Sequence, residues 1–138
     1  MNLIDRVLHL ADTLSNPVAV SAHCDLPCGV YDPAQARLEA ESVKACQEKY
    51  NASDDVDFKT RAIIIKEERC DLVKHHLWVL WTDYFKPEHV AAHPELTDLI
   101  WKATKTAGEA KKTNDPAVGQ RLLDEIDQVA TIFWATKK

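Results

Sequence analysis

At 138 residues, with 46% hydrophobic and 28% charged side chains, the chain is long enough to bury one core and is ordinary in composition. A net charge of −5 argues against a nucleic-acid partner, and no run reaches the ~20 apolar residues of a membrane span. Four cysteines in unrelated contexts do not make a disulfide framework, so a reducing, cytoplasmic setting is expected. Three glycines in the whole chain favour helices over sheets.

In residues 1–22, Leu3, Val7, Leu10 and Leu14 recur at helical spacing. Asp5, Arg6 and Asp12 interrupt the apolar run, so it is not a secretory signal. Val20-Ser21-Ala22 puts small residues before His23, as a processing protease would require. From composition alone this stretch is a short surface helix. It becomes a removable leader only if His23 has a use as an N-terminus.

The next nine residues are His23-Cys24-Asp25-Leu26-Pro27-Cys28-Gly29-Val30-Tyr31. Pro27 fixes its own φ, removes a donor and pushes Leu26 out of the helical region. Gly29 admits φ values that other residues resist. The expectation is a compact hook with both sulfurs turned inward, and Pro27 is a natural place for a cis bond. Two thiolates and an imidazole suit a late transition metal such as nickel or copper. Zinc would want a second ligand pair, and a thioredoxin-like motif would need two residues between the cysteines. Spacing leaves two readings open: a metal site, or a structural or redox thiol pair.

Asp32-Pro33-Ala34-Gln35 reads as a helix start with a capping box. The helix is expected to reach about Tyr50, with Leu38, Val43, Cys46 and Tyr50 along one stripe. Asn51-Ala52-Ser53-Asp54-Asp55 is a polar break with capping residues. A second helix is expected from about Val56 to Phe85, about 45 Å long, ended by Pro87. Phe58, Ala62, Ile65, Leu72, Leu77, Leu80, Trp81 and Tyr84 give it more than one apolar stripe, so part of it should meet another subunit. A third helix starts at Pro94, with Leu96, Leu99, Ile100, Ala103 and Ala107 facing in. Asp115-Pro116 opens a fourth, with Val118, Leu122, Ile126, Val129 and Phe133 inward. Cys46 and Cys70 read as small core residues, and Trp78, Trp81, Trp101 and Trp134 as packing anchors. The fold class is all-α: an antiparallel four-helix bundle with an N-terminal metal-binding hook.

The nonapeptide His23 to Tyr31 resembles the nickel hook of the nickel-containing superoxide dismutases. Asp32-Pro33-Ala34-Gln35-Ala36-Arg37, Lys74-His75-His76, Trp81-Thr82-Asp83-Tyr84-Phe85-Lys86-Pro87 and Ile132-Phe133-Trp134 continue the likeness to the end of the chain. The resemblance implies residues 1–22 as a propeptide, 23–31 as the hook and 32–138 as the bundle. It implies a superoxide dismutase with one nickel ion per subunit, cycling between Ni(III) and Ni(II). The metal ligands would be His23, Cys24 and Cys28, with His23 contributing its new α-amine after a maturation protease cuts Ala22-His23. Glu39 and Arg69 match the pair that orients the imidazole. Tyr31 and Tyr84 match the tyrosines beside the substrate channel. Lys86 matches a cation at the entrance, and Asp25 a residue that orders the hook. A homohexamer is also implied. Without the resemblance, Glu39 and Arg69 are a surface ion pair, Tyr84 is core, and the chain could be a non-catalytic nickel- or zinc-binding protein.

Overall fold

The computed structural model describes residues 28–137. Among them are five α-helices: α1 (Ala34–Asn51), α2 (Val56–Val79), α3 (Pro87–Ala92), α4 (Leu96–Lys112) and α5 (Pro116–Thr136). The four long helices are the expected bundle. α1 packs on α2 and α5, and α4 packs on α2 and α5, which closes a ring of antiparallel neighbours. The starts of α1 and α4 and the ends of α2 and α5 therefore share one pole. The hook enters there.

Local chemistry sets most of the helix ends. The Asp55 carboxylate accepts from the Asp57 and Phe58 amides at 2.9 and 3.1 Å and opens α2. Asp115 accepts from the Ala117 amide at 2.9 Å, with Pro116 in the first turn of α5. α1 departs from the expected capping box: Asp32 accepts from the Ala34 amide at 2.8 Å in a tight local turn, and Pro33 is the cap residue.

The core is built from Leu77, Leu96, Leu122, Ile126, Val129 and Phe133 and their buried neighbours. Each such side chain contributes about 1.5–3 kcal/mol by leaving water. The inward positions named for α5 are all buried. The stripe on α1 differs: Ala36, Ala40, Val43 and Gln47 are buried, while Leu38 is exposed. Small residues win because α5 lies so close. A Cβ on Gly119 would meet Lys44 Cβ at 2.8 Å and Lys44 Cα at 2.9 Å, so only glycine fits there.

The second helix also departs from expectation. α2 stops at Val79, and Leu80–Tyr84 form a π-helical turn closed by Phe85 N–H to the Leu80 carbonyl at 2.9 Å. Thr82 Oγ1 donates to the Trp78 carbonyl at 2.8 Å, and Pro87 cannot supply the donor that would extend a regular helix. α3 then follows, between the expected end of the second helix and the expected start of the third. Among the tryptophans, Trp81 packs on the core, but Trp101, Trp134 and Trp78 are 59, 53 and 49% exposed. They are surface features of the subunit and not anchors within it. Cys70 is buried as expected, and Cys46 is half-buried. No helix among the described residues is long and apolar enough to cross a membrane.

Candidate metal centre

The described part of the hook begins at Cys28, which is exposed, and the Val30 amide donates to its Sγ at 3.4 Å. Gly29 takes φ +72°, a left-handed conformation that side-chain-bearing residues rarely adopt. This turn lets the chain double back from Cys28 into α1.

Beside the turn is an open pocket of about 440 Å³ lined by Gly29, Tyr31, Asp83, Tyr84, Lys86, His89, Thr136 and Lys137. It draws on the root of the hook, the π-turn, α3 and the end of α5. The wide π-turn brings the neighbours Asp83 and Tyr84 to the same pocket, the sort of task for which such turns recur at functional sites. The Tyr84 ring lies 4.3 Å from Phe133 and 5.8 Å from Tyr31, and its hydroxyl is 3.1 Å from Thr136 Oγ1. Lys137 Nζ donates to the Tyr31 carbonyl at 3.0 Å and sits over the Phe133 and Trp134 rings. Two lysines and a histidine face one aspartate, in a protein whose overall charge is negative.

Glu39 and Arg69 do form the expected ion pair, at 3.1 Å, with Glu39 mostly buried. Neither lines the tyrosine pocket. Arg69 borders a separate groove of about 570 Å³ between α1 and α2, with Cys46, Phe58 and Ile65. Burial raises the Cys46 thiol above its ordinary range, against the pull of Lys49 and Arg69.

A family model for nickel-containing superoxide dismutase matches residues 18–137. The chain belongs to that family. It is 63% identical over 121 residues to the superoxide dismutase [Ni] of Streptomyces seoulensis, covering 88% of this chain and 92% of the relative. Identity to the corresponding protein of Streptomyces coelicolor is 61% over the same length and coverage. A solved native nickel superoxide dismutase is 60% identical with a TM-score of 0.82, over 84% of this chain and 100% of that one. A structure with nickel ligation of the oxidised state is 61% identical with a TM-score of 0.81, over 83% and 97%.

Nickel is therefore the cofactor, and the described donor fits it: Cys28 offers an exposed, amide-supported sulfur of the soft kind that suits a late transition metal. His23, Cys24, Asp25 and the Pro27 bond lie outside the described residues, as do the leader and its junction with His23. Of the remaining expected site residues, Tyr31, Tyr84 and Lys86 meet in one pocket next to Cys28, and Glu39 and Arg69 meet elsewhere. Asp83, His89, Thr136 and Lys137 were not anticipated. Nothing local in the sequence marks them, because only the meeting of the π-turn with the end of α5 at one pole brings them together.

Proposed function

We propose that this superoxide dismutase, which converts superoxide to dioxygen and hydrogen peroxide, works at a hook spanning residues 23–31, with nickel held by His23, Cys24 and Cys28. When bound there, nickel supplies a one-electron couple, Ni(III)/Ni(II), that accepts from one superoxide and donates to the next. The observation that carries the site is the convergence on the Cys28–Tyr31 root of a pocket with two tyrosines and an excess of cations. Among the described residues no three His, Cys, Asp or Glu side chains cluster to hold a metal, which supports ligation from within the hook itself.

The chain's own groups have separable tasks. Lys86 and Lys137 raise the local concentration of a small anion by long-range attraction. Tyr84, its hydroxyl set against Thr136 Oγ1, and Tyr31 narrow the approach beside Cys28 and exclude bulkier anions. The Glu39–Arg69 pair fixes a carboxylate that can orient the His23 imidazole. Asp25 orders the hook. Cutting Ala22-His23 gives His23 an α-amine with a pKa near ~8, a donor that a peptide nitrogen is not. Residues 1–22 are accordingly a propeptide removed by a maturation protease, ahead of a bundle formed by residues 32–138. Exposed Phe58, Ile64, Trp78, Trp101 and Trp134 support assembly into a homohexamer, and the reduced-thiol chemistry fits the cytoplasm.

The test compares full-length protein with protein beginning at His23, each loaded with nickel. Trimmed protein should bind one nickel per subunit and dismutate superoxide; uncut protein should do neither. Equal activity in the two would overturn the assigned ligand set.

A further inference from the structure

His89 lines the pocket and touches both an aromatic ring and the backbone of Lys86. Its ring stacks on Tyr84 at 5.7 Å and 28°, and stands edge-on to Phe85 at 6.1 Å and 86°. Its Nδ1 accepts from the backbone amide of Lys86 at 3.3 Å. That bond fixes the tautomer, because a neutral imidazole accepting at Nδ1 carries its proton on Nε2. The Lys86 carbonyl meanwhile accepts from the His89 and Val90 amides at 2.9 and 3.2 Å. Lys86 is thus held at both its amide and its carbonyl, at the junction where the π-turn gives way to α3. Without the imidazole, one face of the Tyr84 ring would be uncovered and the Lys86 amide would lose its side-chain partner.

We propose that His89 is a positioning residue for the dismutase reaction: it clamps Lys86 by its backbone and Tyr84 by its ring, so that both face the pocket beside Cys28. The inference rests on the reading of that pocket as the one superoxide uses. The clamp itself does not, and the experiment separates the two.

Three variants divide the roles. His89→Ala removes ring and acceptor. His89→Phe keeps the ring and loses the acceptor. His89→Gln loses the ring, but a glutamine at this third helical position can reach back to the cap amide. In metal-free protein, hydrogen exchange of the Lys86 amide should accelerate at least tenfold in His89→Ala and His89→Phe and return to within twofold of wild type in His89→Gln. In trimmed, nickel-loaded protein, kcat/KM should fall five- to tenfold in His89→Ala, with partial recovery in both His89→Gln and His89→Phe. Unchanged exchange in His89→Ala or His89→Phe overturns the clamp. So does accelerated exchange with unaltered kcat/KM, which would make the bond a matter of helix stability only. If wild-type trimmed protein were inactive, the site reading would fail while the exchange result still judged the clamp. Should His89→Ala not fold, the Phe and Gln pair carries the comparison alone.

Discussion

The two poles of the bundle close in opposite ways. At the pole away from the hook, α1 and α2 pin the turn between α4 and α5 with side chains. Lys66 is 2% exposed, and its Nζ donates to the Thr113 carbonyl at 2.6 Å and to Asn114 Oδ1 at 2.8 Å. Gln47 Nε2 reaches the same Thr113 carbonyl at 3.3 Å, and Asn51 Nδ2 reaches the Asn114 carbonyl at 2.8 Å. Three donors thus hold the Thr113 and Asn114 carbonyls, at and just beyond the cap of α4. At the hook pole the polar groups of Asp83, Lys86 and His89 line an open pocket, and aromatic rings do the packing. One pole uses its polar groups to close the fold, and the other sets the lysines Lys86 and Lys137 at the wall of an open pocket. The lesson is that activity and stability should be separable by position along the bundle axis.

The sharpest break of that comparison is at the sulfur. Cys28→Ser replaces a soft donor with a hard, weakly acidic hydroxyl in an exposed turn. Dismutase activity should fall more than a hundredfold and bound nickel should drop toward zero, while the thermal midpoint of metal-free protein stays within about 1–2 °C, as for most exposed substitutions. Metal analysis and calorimetry on the same preparation would check this. A large loss of thermal stability would mean that the hook root also holds the bundle together.

A smaller effect is expected at the pocket mouth. Lys86→Ala removes one of two lysines that line it, so kcat/KM should fall about three- to tenfold and its dependence on ionic strength should flatten. Stopped-flow rates at several salt concentrations read both. An unchanged salt slope would assign the steering to Lys137 or to the wider surface.

Much of this was legible in the sequence where the physics is local. Asp55 and Asp115 were readable as caps, Pro116 as a first-turn residue, and the spacing of Val118, Leu122, Ile126, Val129 and Phe133 as one buried face. Tyr31, Tyr84 and Lys86 were readable as a site only through resemblance, since Tyr84 alone is an ordinary apolar-face residue. What escaped was long-range. Lys66 looks like any solvent-facing lysine until Thr113, 47 positions away, supplies a carbonyl. The Lys137 contact spans 106 positions. The π-turn escaped because a local change in backbone hydrogen bonding leaves no mark in hydrophobic periodicity. The tryptophans, read as packing anchors, divide: Trp81 packs on the core, while Trp78, Trp101 and Trp134 lie on the outside of the subunit.

The opposite pole offers the least effect on activity and the most informative pH dependence. Lys66→Met keeps the volume and removes the amine. Thr113 retains Gln47, so the net cost should be about 1–2 kcal/mol, a few degrees in thermal midpoint, with activity of the folded protein unchanged. Lys66 and Cys70 also make opposite contributions as pH rises. Burial lowers the Lys66 amine from its ordinary 10.5, so its contribution is fully present above that value and is lost as pH falls through the folded pKa. Burial raises the Cys70 thiol from 9.0 to about 11, so its contribution is fully present below 9.0 and is lost as pH climbs through about 11. In wild type the two partly cancel between those limits. Lys66→Met abolishes the gain and leaves the loss, and it also removes the charge that holds the Cys70 thiol down. The variant should therefore lose stability more steeply than wild type across pH 9.0 to about 11, and Cys70→Ala should lose it less steeply. Denaturant melts at half-unit pH steps resolve the slopes, and parallel curves for all three proteins would mean that neither group titrates with the fold.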